Sequence, residues 1–225
     1  MAKLTNSKDT ASLIFEDMAA KILRLDLEPG SPVSESDICS TYNTSRTPAK
    51  TVLNRLSDGG YIDLLPYQQS RVRYINADET LQYLYGRVAI ESRVIRDFIS
   101  LKDPLLLEDV NHVIRKQEIL ASQDTVDLLA FNDLDVQLHE IWFRTLDKME
   151  IWHYFRNSID YTRMKILDYK REQDYDVIIS EHKALAAAIA ASDIEKVNSV
   201  LEQHVYTHVA KLIDKCMKDN REYFI

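Results

Sequence analysis

Past Pro104 the chain contains no glycine and no proline; all four glycines and all five prolines lie in the first 104 residues. A long stretch without either breaker, rich in Leu, Ile, Ala, Glu and Lys, runs as helices joined by short polar turns. Only two cysteines occur, Cys39 and Cys216, which excludes a disulfide framework and leaves two free thiols. Cys39 adjoins Ile38 and reads as a small buried hydrophobe. No run approaches the roughly 20 apolar residues of a membrane span. The N-terminus, MAKLTNSKDT, lacks the basic-then-apolar order of a secretory signal. A cytoplasmic protein with no membrane partner is therefore expected. Internal repeats and low-complexity tracts are also lacking.

Charge is unevenly spread. The 225 residues carry a net charge of −8, with 45% hydrophobic and 28% charged side chains. Residues 1–75 hold nine basic and nine acidic side chains, so the whole acidic excess falls on residues 76–225. Within 42–75, five cations (Arg46, Lys50, Arg55, Arg71, Arg73) face only Asp58 and Asp63. A chain whose bulk repels DNA thus carries a small basic patch, and it should bind nucleic acid weakly unless the sequence is right.

The spacing of apolar residues predicts two domains, 1–76 and 77–225. In the first, Ile14, Met18, Ile22 and Leu25 mark one face of a helix ended by Glu28-Pro29-Gly30. Ser34 with Asp37 resembles a capping box opening a short second helix over about 34–41. Ser45 is placed to cap a third helix, and Pro48 sits in its first turn, where no amide hydrogen is needed. Asp58-Gly59-Gly60 stops that helix, and the alternating runs 61–65 and 71–75 predict a β-hairpin with a tip at 66–70. Three helices and a hairpin in this order make a winged helix-turn-helix. In the second domain, the runs 78–100, 105–122, 125–146, 149–171, 175–191 and 193–218 predict six helices, an all-α bundle. The fold class is mainly α.

In a helix-turn-helix the second helix of the motif enters the major groove. Here Arg46, Thr47, Lys50, Thr51 and Asn54 lie opposite the apolar face, with Arg46, Lys50 and Asn54 in one stripe. Arg and Lys can donate to guanine, and Asn can pair with adenine. Ser45 and Thr47 suit phosphate oxygens, and Arg71 on the hairpin suits the backbone or minor groove. A merely solvated helix face is the plainer alternative. The run SRTPAKTVLNRL resembles the recognition helix of the GntR family, and LEPGSPVSESDI resembles that family's entry segment. The resemblance implies DNA contacts at Ser45, Arg46, Thr47 and Lys50. Lys50-Thr51 replaces the usual Arg-Glu, Ser36 stands where some members carry Arg, and Gln68-Gln69 replaces the usual Arg-Gly at the hairpin tip.

Six histidines occur, at 112, 139, 153, 182, 204 and 208. Asp135 and His139, four apart, share a helix face, and His182 and His204 lie on apolar faces of the last two helices. One carboxylate and three imidazoles in a bundle suit zinc, nickel, manganese or iron. Each histidine taken singly can equally be a hydrogen-bonded core residue.

Residues 78–215 resemble the FCD domain of the FadR subfamily of GntR regulators, in its six-helix, VanR-like branch. The matching features are Arg87-Val-Ala-Ile-Glu91, Asp135 with His139, Glu181-His182 and the late His204. Leu146-Asp147-Lys148-Met149 departs from the family's small-residue turn. The resemblance implies metal ligands Asp135, His139, His182 and His204, with His208 as rival for the last place and zinc as the first choice of ion. It further implies a small carboxylate effector that completes the metal shell; Arg87 and Arg163 are the candidate cationic contacts, with pairing to Glu91 the plainer alternative for Arg87. The expected protein is a homodimeric repressor on a palindromic operator, not an enzyme. The alternatives are a metal-dependent enzyme and a pure metal sensor built on the same Asp/His cluster.

Overall fold

The computed structural model describes residues 7–65, 69–103, 105–156, 158–172 and 175–225. They form two compact units, Met1–Asn76 with Asn220–Ile225, and Ala77–Asp219.

The first unit contains α1 (Ser7–Leu23), β1 (Pro32–Val33), α2 (Glu35–Tyr42), α3 (Arg46–Asp58), β2 (Ile62–Asp63) and β3 (Ser70–Val72). Ile22, Ile38, Val52, Leu56 and Val72 meet in its core. Helix α1 stops at Leu23, before the Glu28-Pro29-Gly30 turn, because Leu25 turns left-handed (φ 61°) and Asp26 N–H donates to the Lys21 carbonyl. Gly30 has φ 82°, and a Cβ there would stand 2.7 Å from the Tyr74 hydroxyl, so glycine is required twice over. The expected hairpin is one part of a three-stranded antiparallel sheet of order β1-β3-β2. Strand β1, two residues long, is too short to show a period. The expected hairpin tip falls mostly on 66–68, outside the described residues.

Ser34 caps α2 by accepting from Asp37 N–H at 3.1 Å, and its own hydroxyl donates to the Asp37 carboxylate. Ser45 occupies the N-cap of α3 with extended backbone, but its hydroxyl makes no capping bond. At the other end of the chain, Asn220–Ile225 packs with this unit rather than with the helical one. Ile75 N–H donates to the Tyr223 carbonyl at 2.8 Å, Ile225 N–H donates back to Ile75, and Phe224 is buried.

The second unit holds α4 (Ala77–Ile99), α5 (Leu106–Ala121), α6 (Leu128–Thr145), α7 (Met149–His153), α8 (Ile159–Glu172), α9 (Tyr175–Ala190), α10 (Ile194–Leu201) and α11 (His208–Asp219). The expected helix over 149–171 is broken in two. Ser158 takes a capping role, accepting from Tyr161 N–H at 3.2 Å, so α8 starts afresh there. The expected helix over 193–218 is continuous but contains a π turn, Glu202–Thr207, between α10 and α11. Helix α5 packs on α6 and α9, α9 on α10, α8 on α6 and α11, and α4 on the π turn. No helix among the described residues is long and apolar enough to cross a membrane.

Candidate metal centre and nucleic-acid interface

Ala49, Val52, Leu53 and Leu56 bury one face of α3, and the opposite face is left in water. On it, Ser45, Arg46, Thr47, Lys50, Thr51 and Asn54 are all exposed. The five cations of 42–75 prove unequal. Arg55 turns back onto α1, donating to Ser12 Oγ at 3.1 Å and lying 4.2 Å from the Phe15 ring centre. Arg71 and Arg73 share Asp63, at 3.7 and 3.9 Å, and Arg71 also lies over Tyr74. Arg46 and Lys50 are therefore the cations that α3 presents outward.

In the helical unit, Asp135, His139, His182 and His204 are brought together, fully buried or nearly so, with one ligand atom from each lying within 4.8 Å of all the others. Helix α6 supplies Asp135 and His139 one turn apart, α9 supplies His182, and the π turn supplies His204. His208 is not part of this group; its Nε2 lies 3.7 Å from Asp168 instead.

Each imidazole is oriented from behind. Nδ1 of His139 meets Glu91 on α4, Nδ1 of His182 meets Gln117 Oε1 on α5 at 2.8 Å, and Nδ1 of His204 meets Glu181 Oε2 on α9 at 2.8 Å. With an oxygen acceptor at every Nδ1, the proton sits there and the lone pair sits on Nε2. The three Nε2 atoms converge: His204 is 3.2 Å from His139 and 3.1 Å from His182. Asp135 Oδ1 faces them at 3.4 and 3.6 Å from His182 and His204, and it makes no hydrogen bond among the described residues. Four electron-rich atoms pointing at one another repel unless a cation lies between them. Ligands at about 2.1 Å from one ion are spaced by about 3.0–3.4 Å, close to the spacing seen. The residues fit a divalent metal, and the oxygen at each Nδ1 is the outer support that metal-binding imidazoles use.

Protonation favours the neutral, lone-pair form at His139 and His182. Burial pushes His182 down to about 3 and lowers His139 as well. His204 is raised, because Asp135 and Glu181 outweigh the burial that opposes its proton. Asp135 is held well below the usual carboxylate range; burial works against its charge, but Lys165 and the facing imidazoles outweigh it.

Of the two expected effector contacts, Arg87 is buried, donates Nε to Glu91 Oε2 at 3.1 Å and lies 5.5 Å from the Trp152 and Tyr161 rings. Arg163 is buried against Asp160 Oδ1 at 2.5 Å. Gln117 and Lys165 escape the sequence reading altogether. Lys165 Nζ lies 2.7 Å from Asp135 Oδ2 and is 7% exposed. Its one signal in the sequence is its place between Tyr161 and Tyr169, four residues either side.

Residues 84–207 match the profile described as the FCD domain, and residues 10–72 match that of the bacterial regulatory proteins of the gntR family. The chain belongs to the FCD-containing GntR regulators. The curated relatives include the HTH-type transcriptional repressor RspR of Escherichia coli K12, 22% identical over 94% of this chain and 92% of the relative. The gluconate operon transcriptional repressor of Bacillus subtilis 168 is 21% identical over 85% and 80%. Among solved structures, a putative GntR regulator from Rhodococcus sp. RHA1 superposes with TM-score 0.72 at 15% identity, covering 91% of this chain and 97% of that one. E. coli McbR/YncC gives 0.65 at 16%, over 96% and 99%. This regulator is thus a DNA-binding transcription factor with an effector-binding C-terminal domain, and its buried Asp/His cluster could hold a metal.

Proposed function

We propose that this regulator is a repressor whose hold on its operator is set by a small carboxylate bound at a zinc ion in the helical unit. Convergence of three imidazole lone pairs and one orphaned carboxylate oxygen carries the metal half of this reading. Asp135, His139, His182 and His204 hold the ion; zinc is preferred for an imidazole-rich set, with nickel, manganese or iron as the other ions to test. Bound there, the metal would supply an electrophilic position for the effector's carboxylate. Arg87, buried with Nη2 lacking a hydrogen-bond partner among the described residues, is the first cationic contact for that acid, and Arg163 the second.

On the DNA side, Arg46, Lys50 and Asn54 read base edges, while Ser45, Thr47 and Arg71 hold phosphates. The Ser45 hydroxyl is not spent on capping α3, which supports its place in that set. The regulator acts in the cytoplasm as a two-fold homodimer, with two α3 helices about one DNA turn apart on a palindromic site. The effector must bind the two states of the dimer unequally; a tenfold change in operator affinity takes about 1.4 kcal/mol of coupling.

The test is duplex selection from a random pool with zinc-loaded full-length protein, followed by gel shifts with zinc, without zinc and with short organic acids. A palindromic site released by an acid only when zinc is present is the expected result. No selected site in any state would overturn the DNA reading. Binding that follows zinc alone would make the ion itself the signal.

A further inference from the structure

Beside the quartet lies a second group of buried donors that metal binding alone leaves unused. Arg87 Nη2 and Tyr169 Oη are buried and close no hydrogen bond with a described residue, and Lys165 Nζ, also buried, meets the single acceptor Asp135 Oδ2 at 2.7 Å. Arg87 and Lys165 flank one aromatic ring, and Lys165 also borders Tyr169. Arg87 and Lys165 lie 5.5 and 5.3 Å from the Tyr161 ring centre, and Lys165 lies 5.9 Å from that of Tyr169. Buried donors left without acceptors are costly, and a buried ammonium depends on the one carboxylate it meets. In folded proteins such groups are met by a bound water, ion or ligand, or serve a chemical role.

Asp135 links the two groups. Its Oδ1 faces the imidazoles and its Oδ2 faces Lys165 at 2.7 Å. Once Oδ1 serves an ion, one carboxylate is shared between two cations, and Lys165 is left short of negative charge.

We propose that Lys165 and Tyr169 form a second anion subsite next to the metal, and that the effector is a short dicarboxylate. One carboxylate of the effector completes the metal shell; the other is taken by Lys165 and Tyr169. This rests on the metal reading above, and Lys165 is the residue that distinguishes a diacid from a monoacid of equal length.

The test is titration calorimetry of zinc-loaded full-length protein with succinate and with butyrate, after zinc content has been measured by atomic emission. Succinate should bind at least about tenfold more tightly, the worth of one charge-assisted hydrogen bond. Lys165→Met should bring the two acids to within about twofold, with zinc content unchanged and butyrate affinity preserved. Should that variant fail to fold, Tyr169→Phe carries the test, since it should weaken succinate and spare butyrate. Equal affinity for both acids in the wild type, no binding of either, or a preference that survives Lys165→Met and Tyr169→Phe overturns the proposal while the metal reading stands. A wild-type chain that holds no zinc overturns both.

Discussion

Glu91→Gln is the substitution that probes the buried network most sharply. Glu91 Oε1 accepts from His139 Nδ1 and from Trp142 Nε1, the latter at 2.9 Å, and Oε2 accepts from Arg87 Nε at 3.1 Å. A glutamine can keep its oxygen on His139 and Trp142, but its NH2 then faces the Arg87 guanidinium, donor against donor. Arg87, 2% exposed, is left as a buried cation without its counter-charge. Breaking such a pair costs about 3–5 kcal/mol, a large share of the roughly 5–15 kcal/mol that holds a domain folded. His139 loses its anionic support as well, which should weaken zinc by about 10–100-fold. The pH dependence has a fixed sign. Burial opposes the Glu91 charge, but His139 and Arg87 outweigh it, so its folded pKa lies below the ordinary value. Its stabilisation is therefore complete above about pH 4.3, the unfolded value, and is lost as pH falls through the folded one. Urea unfolding of zinc-free wild type and variant should show the full gap at pH 7 and a shrinking gap in acid, with zinc affinity read by chelator competition. A gap below about 1 kcal/mol at pH 7, with zinc affinity unchanged, would refute the reasoning.

Arg46→Ala should lower affinity for the selected operator by about 1–3 kcal/mol in fluorescence anisotropy and leave the melting temperature alone, because the side chain is exposed; equal affinity would remove Arg46 from the reading set. Lys50→Ala, if Lys50 contacts phosphate as well as base, should reduce the slope of log affinity against log salt by about one. His182→Ala should abolish stoichiometric zinc while His208→Ala keeps it, and atomic emission on both separates the ligand from the neighbour bound to Asp168. Deleting Gln203, an exposed residue of the π turn, should preserve helix content by circular dichroism but cost zinc, since the turn would tighten and His204 would shift.

The exposed polar face of α3 was legible because a helix with four buried positions leaves its remaining side chains nowhere else to point, and the polar stripe follows from 3.6 residues per turn. The disposition of its charges was not. Counting cations along 42–75 gives five, yet Arg55 is drawn onto the Phe15 ring and Asp63 stands between two arginines of the hairpin. Arg55 also bonds Ser12, 43 positions away, and no local period reports such pairings. Strand β1 and the docking of Phe224 beside Ile75 share that difficulty: both are long-range backbone pairings with almost no pattern of their own.

The metal quartet could be proposed from one local spacing and two isolated histidines, but an α-helical period leaves the last ligand undecided. His204 and His208 are four apart, so a regular helix would carry both on one face. The π turn removes the ambiguity by taking up an extra residue. It lets His204 point inward with Val205 while Val209, Leu212, Ile213 and Cys216 still bury the face of α11, and it leaves His208 beside Asp168. Nothing in the residues 202–207 announces such a turn. Its energetic reason is tertiary, because an imidazole fixed by Glu181 behind and three ligand atoms in front can hold a backbone that the local sequence would not choose. Lys165 was hidden for a related reason. A buried lysine is read from sequence as exposed by default, and only the carboxylate placed opposite it by α6 makes its burial tolerable. The features that sequence reasoning missed are those in which one buried charge depends on another far along the chain.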